Sequence, residues 1–133
     1  MKTLAMILAG AALALTGGTA ATAKTTLAEK GEAKLARMLE GRVAGEPVQC
    51  ISALRSNRIQ VIEHVGVVYD AGDTIYVARP TDPRQLGRFD VPVIDRFGSQ
   101  LCSFDVRLTI DRSHGHITGP VFLNDFVPYT KNG

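Results

Sequence analysis

The chain of 133 residues has only two cysteines, three histidines and no large excess of charge of one sign. Its 15 Lys and Arg residues are scattered among 13 Asp and Glu residues, so there is no basic stripe of the kind that nucleic-acid binding needs. A glycine-rich phosphate loop is missing, and Gly98-Ser99-Gln100 does not have the pattern of a nucleophile elbow. We therefore predict no nucleic-acid partner and no cofactor, and the sequence favours a protein that is not an enzyme.

No apolar run in the sequence has the roughly 20 residues that a membrane-spanning helix needs. A shorter run near the start has a different pattern. Lys2 precedes an uncharged segment from Leu4 to Leu15, and small residues ending in Ala21-Thr22-Ala23 follow. This layout is typical of a secretory signal peptide. We predict that residues 1–23 are removed after Ala23, that the mature protein is periplasmic or secreted, and that it has no stable membrane insertion after cleavage.

The remaining 110 residues suffice for one domain. We divide them into an N-terminal helix with a connector, residues 24–45, and a β domain, residues 46–133. The helix is predicted over residues 25–41, with Thr26 as N-cap and Glu29 completing a capping box. Gly31 lowers the stability of such a helix by about 1 kcal/mol, so we expect the helix to depend on docking against the β domain.

The longest regular pattern in the β domain runs from Cys102 to Asp111. Apolar and polar residues alternate without a break, which predicts one strand with a buried and a solvated face. The predicted buried residues are Cys102, Phe104, Val106, Leu108 and Ile110, and the predicted solvated residues are Ser103, Asp105, Arg107, Thr109 and Asp111.

Shorter strand patterns surround this segment. Asp70-Ala71-Gly72-Asp73 separates two apolar runs and predicts a hairpin. Pro92 confines the strand predicted over residues 89–95 to an edge or a bend, and residues 112–116 predict the tip of another hairpin. The fold class is therefore mainly β: a small antiparallel barrel or sandwich of five to seven strands, with one N-terminal helix and one disulfide.

Cys50 and Cys102 most simply form this disulfide in an exported chain. Such a bridge closes a loop of 52 residues and stabilises the fold by about 4 kcal/mol in the chain-entropy model. Two free thiols, a redox pair and half of a metal site are the alternatives, although the wide spacing is unlike that of redox motifs.

Four segments resemble a family of small exported proteobacterial proteins, notably of sphingomonads, that is classed as a domain of unknown function. They are residues 39–51, residues 75–80, residues 98–102 with Asp105, and residues 126–129. The resemblance covers roughly residues 39–130 and is most specific around the two cysteines. It implies a location in a Gram-negative envelope and an oxidised cysteine pair, and it implies no activity.

Candidate sites are few. His114 and His116 lie one residue apart at the predicted hairpin tip and could share a zinc or copper ion, with His64, Asp111 or Asp125 as further ligands. A loop after Arg79 carries two more arginines and is a candidate partner-binding loop for an anionic group. Its candidate residues are Arg79, Arg84 and Arg88. Asp90 and Asp95 are a weaker candidate for paired carboxylates.

Taken together, these features predict an exported, periplasmic β-domain protein that acts as a non-enzymatic binding or accessory module. Its partner would be a protein or another component of the envelope. A metal-binding envelope protein that uses the His114/His116 hairpin is the alternative.

Overall fold

The computed structural model of the chain describes residues 26–95 and 98–131. The predicted signal peptide, residues 1–23, lies outside them. In the described residues the fold is mainly β, with ten short antiparallel strands in three sheets, one α-helix and one disulfide. The predicted fold class is confirmed, with more strands than the five to seven expected. None of the described helices has the length and apolar character that a membrane span needs.

The elements follow one another in this order: α1 Leu27–Met38, β1 Arg42–Ala44, β2 Cys50–Ser52, β3 Ile59–Ile62, β4 Gly66–Asp70, β5 Thr74–Ala78, β6 Asp90–Ile94, β7 Gln100–Cys102, β8 Val106–Asp111, β9 Ile117–Pro120 and β10 Val127–Lys131. Short 3-10 turns cover Ser56–Arg58, Pro83–Gln85 and Ser103–Asp105. The strands form a five-stranded sheet in the order β1-β10-β5-β4-β3, a two-stranded sheet β2-β7 and a three-stranded sheet β6-β8-β9.

The five-stranded sheet lies in the middle of the molecule, because both of its faces are covered. Val68 and Val77 face α1 and pack in a cluster with Leu35. Val67 and Tyr69, the alternate residues of β4, pack in a second cluster with residues of β2, β7 and β8. Burial on both faces explains why β4 reads as a continuous apolar run rather than as an alternating strand.

Helix α1 begins directly after the predicted N-cap Thr26, two residues later than the predicted range, and ends three residues earlier than predicted. The Thr26 side chain accepts a hydrogen bond from the backbone amide of Glu29 at 3.1 Å, which confirms the N-cap. The helix ends at Met38, and Gly41 follows with a left-handed φ of 76°. The next residues, predicted as connector, contribute β1 to the edge of the five-stranded sheet.

The disulfide joins β2 to β7. Cys50 and Cys102 lie directly opposite each other in this antiparallel pair and are bonded, so the predicted bridge is confirmed. The predicted hairpin around Gly72 is confirmed as β4-β5. β6 is an edge strand of its sheet, as Pro92 requires.

The predicted continuous strand from Cys102 to Asp111 is wrong. β7 ends at Cys102, and a 3-10 turn follows in which the Asp105 carboxylate accepts a hydrogen bond from the Cys102 amide at 2.8 Å. A β-bulge then places Ile94 opposite Val106 and Val93 opposite Leu108, so that Arg107 is an extra residue in β8.

The bulge reverses the faces of β8, because one extra residue exchanges the inward and outward positions of a strand. Val106 is buried as predicted, whereas Thr109 is the buried residue further along and is only 1% exposed. Leu108 and Ile110 are only half-buried, and Phe104 is 51% exposed. Ser103 is buried as well, contrary to the predicted pattern.

Candidate functional site: an uncovered apolar sheet face

The three-stranded sheet β6-β8-β9 is covered on one side only. Its inner face packs on the core through Val106 and the half-buried Ile94, together with the buried Thr109. Strand register places six apolar residues on the opposite side, which we call the outer face. They form two rows across the strands, Val91–Ile110–Ile117 and Val93–Leu108–Pro120.

An apolar surface of this kind needs an explanation. Antiparallel sheets that have one solvated side normally present polar residues there. Here the buried side carries Thr109, whose hydroxyl lies 2.7 Å from the hydroxyl of Thr118, and the solvated side carries valine, leucine and isoleucine. Ile117 is 66% exposed. Contiguous exposed apolar residues mark interaction surfaces more often than isolated ones do.

One end of the outer face, the aromatic end, consists of Phe104, Arg107 and Phe122. Val121 is fully buried and donates its amide to the Arg107 carbonyl at 2.9 Å, which continues the β8-β9 pairing to this end of the sheet. Phe104 and Phe122, 51% and 59% exposed, line a depression of about 420 Å³ with Arg107.

The same depression has polar groups as well as the two rings. Gln49 and Asp125 line it, and the Asp125 carboxylate accepts a hydrogen bond from the Ser103 hydroxyl at 3.1 Å. Arg107 is held by a bond from its Nε to the Phe104 carbonyl at 3.2 Å. The aromatic end therefore offers apolar contact together with hydrogen-bonding groups of both charges.

The other end, the cationic end, consists of Arg88, Phe89 and Arg112. The Arg112 amide donates to the Phe89 carbonyl at 2.9 Å, which continues the β6-β8 pairing beyond the strands. The guanidinium carbons of Arg88 and Arg112 each lie 5.8 Å from the centroid of the Phe89 ring. Such contacts between cation and ring hold both positive groups beside the outer face.

Little negative charge compensates these two arginines. The Asp90 carboxylate accepts a hydrogen bond from the Gly87 amide at 2.8 Å, and Asp111 Oδ1 accepts the amides of Ser113 and His114 at 2.6 and 3.0 Å. Both carboxylates are thus hydrogen-bonded to nearby backbone amides rather than to the two arginines. In the described part of the chain, the acidic partner of the pair is Glu63, whose Oε1 lies 3.5 Å from Arg112.

The three arginines of the predicted recognition loop have different surroundings. Arg79 forms a two-pronged ion pair with Glu32 on α1, at 2.6 and 3.1 Å, and this hydrogen bonding raises the pKa of Arg79. Arg84 pairs with Asp82 at 2.9 Å, which lowers the pKa of Asp82 through the hydrogen bond. Arg88 alone of the three has no acidic partner among the described residues, and it belongs to the cationic end.

In the described part of the chain, the histidine hairpin lacks the third ligand that a metal centre would need. The rings of His114 and His116 lie 6.0 Å apart, and His114 Nδ1 is 3.6 Å from Asp111 Oδ1. Asp125, a further ligand considered from the sequence, is bonded instead to Ser103. Across residues 26–95 and 98–131, no three His, Cys, Asp or Glu side chains are grouped so that they could hold a metal ion.

The carboxylates of the β6-β8 region do not form a common site. Asp90 starts β6 and Asp95 follows its end, five residues apart and thus about 17 Å along an extended strand. Asp105 is bonded to the Cys102 amide at the β7 end of the turn, and Asp111 caps the far hairpin.

Sequence reasoning missed the outer face for one reason. Simple alternation along β8 predicts that Leu108 and Ile110 are buried, because it does not include the bulge. The signal that could have shown the interruption is Asp105, placed three residues after Cys102. Acidic side chains at this spacing often accept backbone amides and turn the chain.

In the described residues the protein is a small, mainly β, disulfide-bonded domain of three antiparallel sheets, with one docked helix and an uncovered apolar sheet face. No family model, no curated protein and no solved structure matches the chain.

Proposed function

We propose that the protein is a non-enzymatic binding module of the periplasm or the extracellular space, and that it binds its partner through the outer face. The observation that carries the proposal is the reversal of β8, which places the half-buried Leu108 and Ile110 on the uncovered side of the sheet, beside the exposed Ile117. Burial of such residues against a partner is favourable by about 25 cal/mol per Å².

Two further features support the proposal. The Cys50–Cys102 disulfide is compatible with an oxidising compartment, as export through the predicted signal peptide requires. The depression at the aromatic end combines two phenylalanines with a few polar groups, a composition typical of recognition sites.

Photo-crosslinking in the protein's own cells tests this proposal. The photoreactive residue p-benzoylphenylalanine replaces Ile117 or Phe104 on the outer face, or Leu54 and Val43 as matched exposed apolar positions elsewhere. We expect a discrete crosslinked species from Ile117 and Phe104 that disappears when Phe122→Ser is added. Equal crosslinking from Leu54 and Val43, or crosslinking unchanged by Phe122→Ser, would contradict the proposal.

A further inference from the structure

We propose that the occupant of the outer face is an acidic, amphipathic polypeptide segment, whose carboxylate binds between Arg88 and Arg112. This inference rests on the proposed function and adds the chemistry of the partner. It is carried by the position of the cationic end, directly beside the first apolar row, Val91–Ile110–Ile117.

The size of the face favours a segment over a second copy of the chain. Without its two ends, the face measures about 17 by 14 Å, or roughly 240 Å², since it spans five residues at about 3.4 Å each across three strands about 4.8 Å apart. A stable association of two folded domains buries about 800 Å² on each partner. A single α-helix is about 10 Å across and would cover most of this face.

The charge at the cationic end favours an acidic segment. Arg88 and Arg112 are exposed, and the guanidinium carbon of each lies over the Phe89 ring; Glu63 is the acid near them, 3.5 Å from Arg112. The planar guanidinium group matches a carboxylate in geometry and can donate two parallel hydrogen bonds to it. Arg112 Nη2 already donates to the Arg88 carbonyl at 3.1 Å, so a carboxylate at this point would meet the remaining N–H groups of Arg112 together with those of Arg88.

The aromatic end favours a polypeptide over the acyl chains of a membrane. Its depression contains the Asp125 carboxylate, the Ser103 hydroxyl and the Arg107 guanidinium next to the two phenylalanines. Backbone amides and carbonyls can bond to the hydrogen-bonding positions of Asp125 and Arg107 that Ser103 and Phe104 do not occupy, whereas an acyl chain would remove water from these charged groups without replacing it, at a free-energy cost.

A displayed library of random 12-residue peptides, selected on the immobilised oxidised protein, tests the inference. We expect enriched peptides in which Asp or Glu flanks apolar residues, with affinities that fall as salt is raised. Arg88→Gln/Arg112→Gln should weaken these peptides about tenfold and remove the acidic preference. Arg58 is an exposed arginine outside the outer face, so Arg58→Gln is the matched control. It should change neither the affinity for the peptides nor their preference for Asp and Glu.

The same experiment separates this inference from the proposed function. Ile117→Ser/Phe122→Ser should abolish enrichment altogether. Suppose that Ile117→Ser/Phe122→Ser abolishes enrichment, but that the enriched peptides are not acidic or bind the Arg88/Arg112 variant with unchanged affinity. The outer face is then still the binding surface, and the inferred acidic chemistry of the partner is wrong. If no peptide is enriched, or if enrichment survives Ile117→Ser/Phe122→Ser, polypeptide binding at the outer face is wrong.

Two other occupants are further outcomes that would overturn the inference. Sedimentation of the protein with phosphatidylglycerol vesicles but not with phosphatidylcholine vesicles, lost in the Arg88/Arg112 variant, would assign the surface to an anionic membrane. A dimer in sedimentation velocity that Ile117→Ser/Phe122→Ser converts to monomer would assign it to a second copy.

Discussion

Thr109 and Ile110 are neighbours on β8 and have opposite surroundings. The Thr109 side chain is buried, and its hydroxyl lies 2.7 Å from the Thr118 hydroxyl and 3.4 Å from the Gly119 carbonyl. Ile110 lies on the outer face between Val91 and Ile117. Because neighbouring residues of a strand point to opposite faces, Ile110 lies on the outer face only if Thr109 lies on the inner face.

This difference gives a mutational test of the register. Thr109→Ala should lower the free energy of unfolding by about 1–2 kcal/mol, because it removes a buried hydrogen bond and leaves a small void. Ile110→Thr should cost less than Thr109→Ala, about 1 kcal/mol or below, since the Ile110 side chain is only half-buried. Urea denaturation of the two variants measures both values. The reverse order would show that β8 keeps its simple alternation and that no outer face of this kind exists.

Asp111 provides a pH test at the same scale. Hydrogen bonds from the amides of His114 and Ser113 lower the pKa of Asp111 below its ordinary value of 3.8. A carboxylate whose pKa is lowered by folding stabilises the fold above its unfolded pKa, and this contribution is lost as the pH falls through the folded value. Asp111→Ala should therefore have a lower Tm than the parent at pH 7, and the difference should narrow below about pH 4. A Tm difference that stays constant from pH 7 to pH 2 would contradict this assignment.

At the scale of elements, the sequence could predict what depends on local chemistry. The N-cap at Thr26, the hairpin turn at Gly72 and the edge position of Pro92 each follow from a residue type with one strong backbone preference. The reversal of β8 could not be read from the alternation, because it depends on a 3-10 turn and a bulge that the sequence pattern crosses without a break. The candidate site depends on that reversal, so the sequence pattern does not predict the outer face. It predicts candidate sites at His114 and Arg84 instead, because histidines and arginines in a loop are recognisable by residue type alone.

Docking of α1 on the sheet makes Gly31 an exception to helix propensity. A Cβ atom at Gly31 would lie 2.6 Å from Val65 Cγ2 and 3.0 Å from the Glu63 carbonyl oxygen. Gly31→Ala should gain about 1 kcal/mol of intrinsic helix propensity and still lower the free energy of unfolding, because overpacking at such sites costs about 1–3 kcal/mol. Ala36→Gly, at an exposed position of the same helix, is the opposite control and should be destabilising through propensity alone. A Gly31→Ala variant more stable than the parent in urea would show that the helix is not held this closely.

The β2-β7 pair gives a second prediction at this scale. These strands are three residues each, too short to pair stably by themselves, and they pack with the core through Ile51 and Leu101. Cys50→Ser/Cys102→Ser should lose about 4 kcal/mol of stability, because the bridge closes a loop of 52 residues. Thermal unfolding followed by circular dichroism measures the loss. An unchanged Tm would mean that the bridge contributes nothing to the stability of the fold.

At the scale of the whole molecule, the layers differ in how completely they are covered. The helix and the smaller sheets enclose the five-stranded sheet, while the three-stranded sheet has a covered inner face and an apolar outer face. Folding therefore uses the apolar residues of the central sheet from both sides. Ile117 and Phe122 contribute little buried area to folding, because their side chains are mostly exposed.

Residues kept for a partner rather than for folding should be replaceable without loss of stability. Ile117→Ser/Phe122→Ser should leave the Tm within a few degrees of the parent, because substitutions at exposed positions usually change stability by less than about 0.5 kcal/mol each. The same variant should bind less bis-ANS, a dye that reports contiguous exposed apolar surface. Leu54→Ser is the control and should bind as much dye as the parent, because Leu54 is exposed outside the outer face. A large drop in Tm would instead place these two side chains in the core. The apolar pattern of β9 would then be a requirement of the fold and would give no reason to infer a partner.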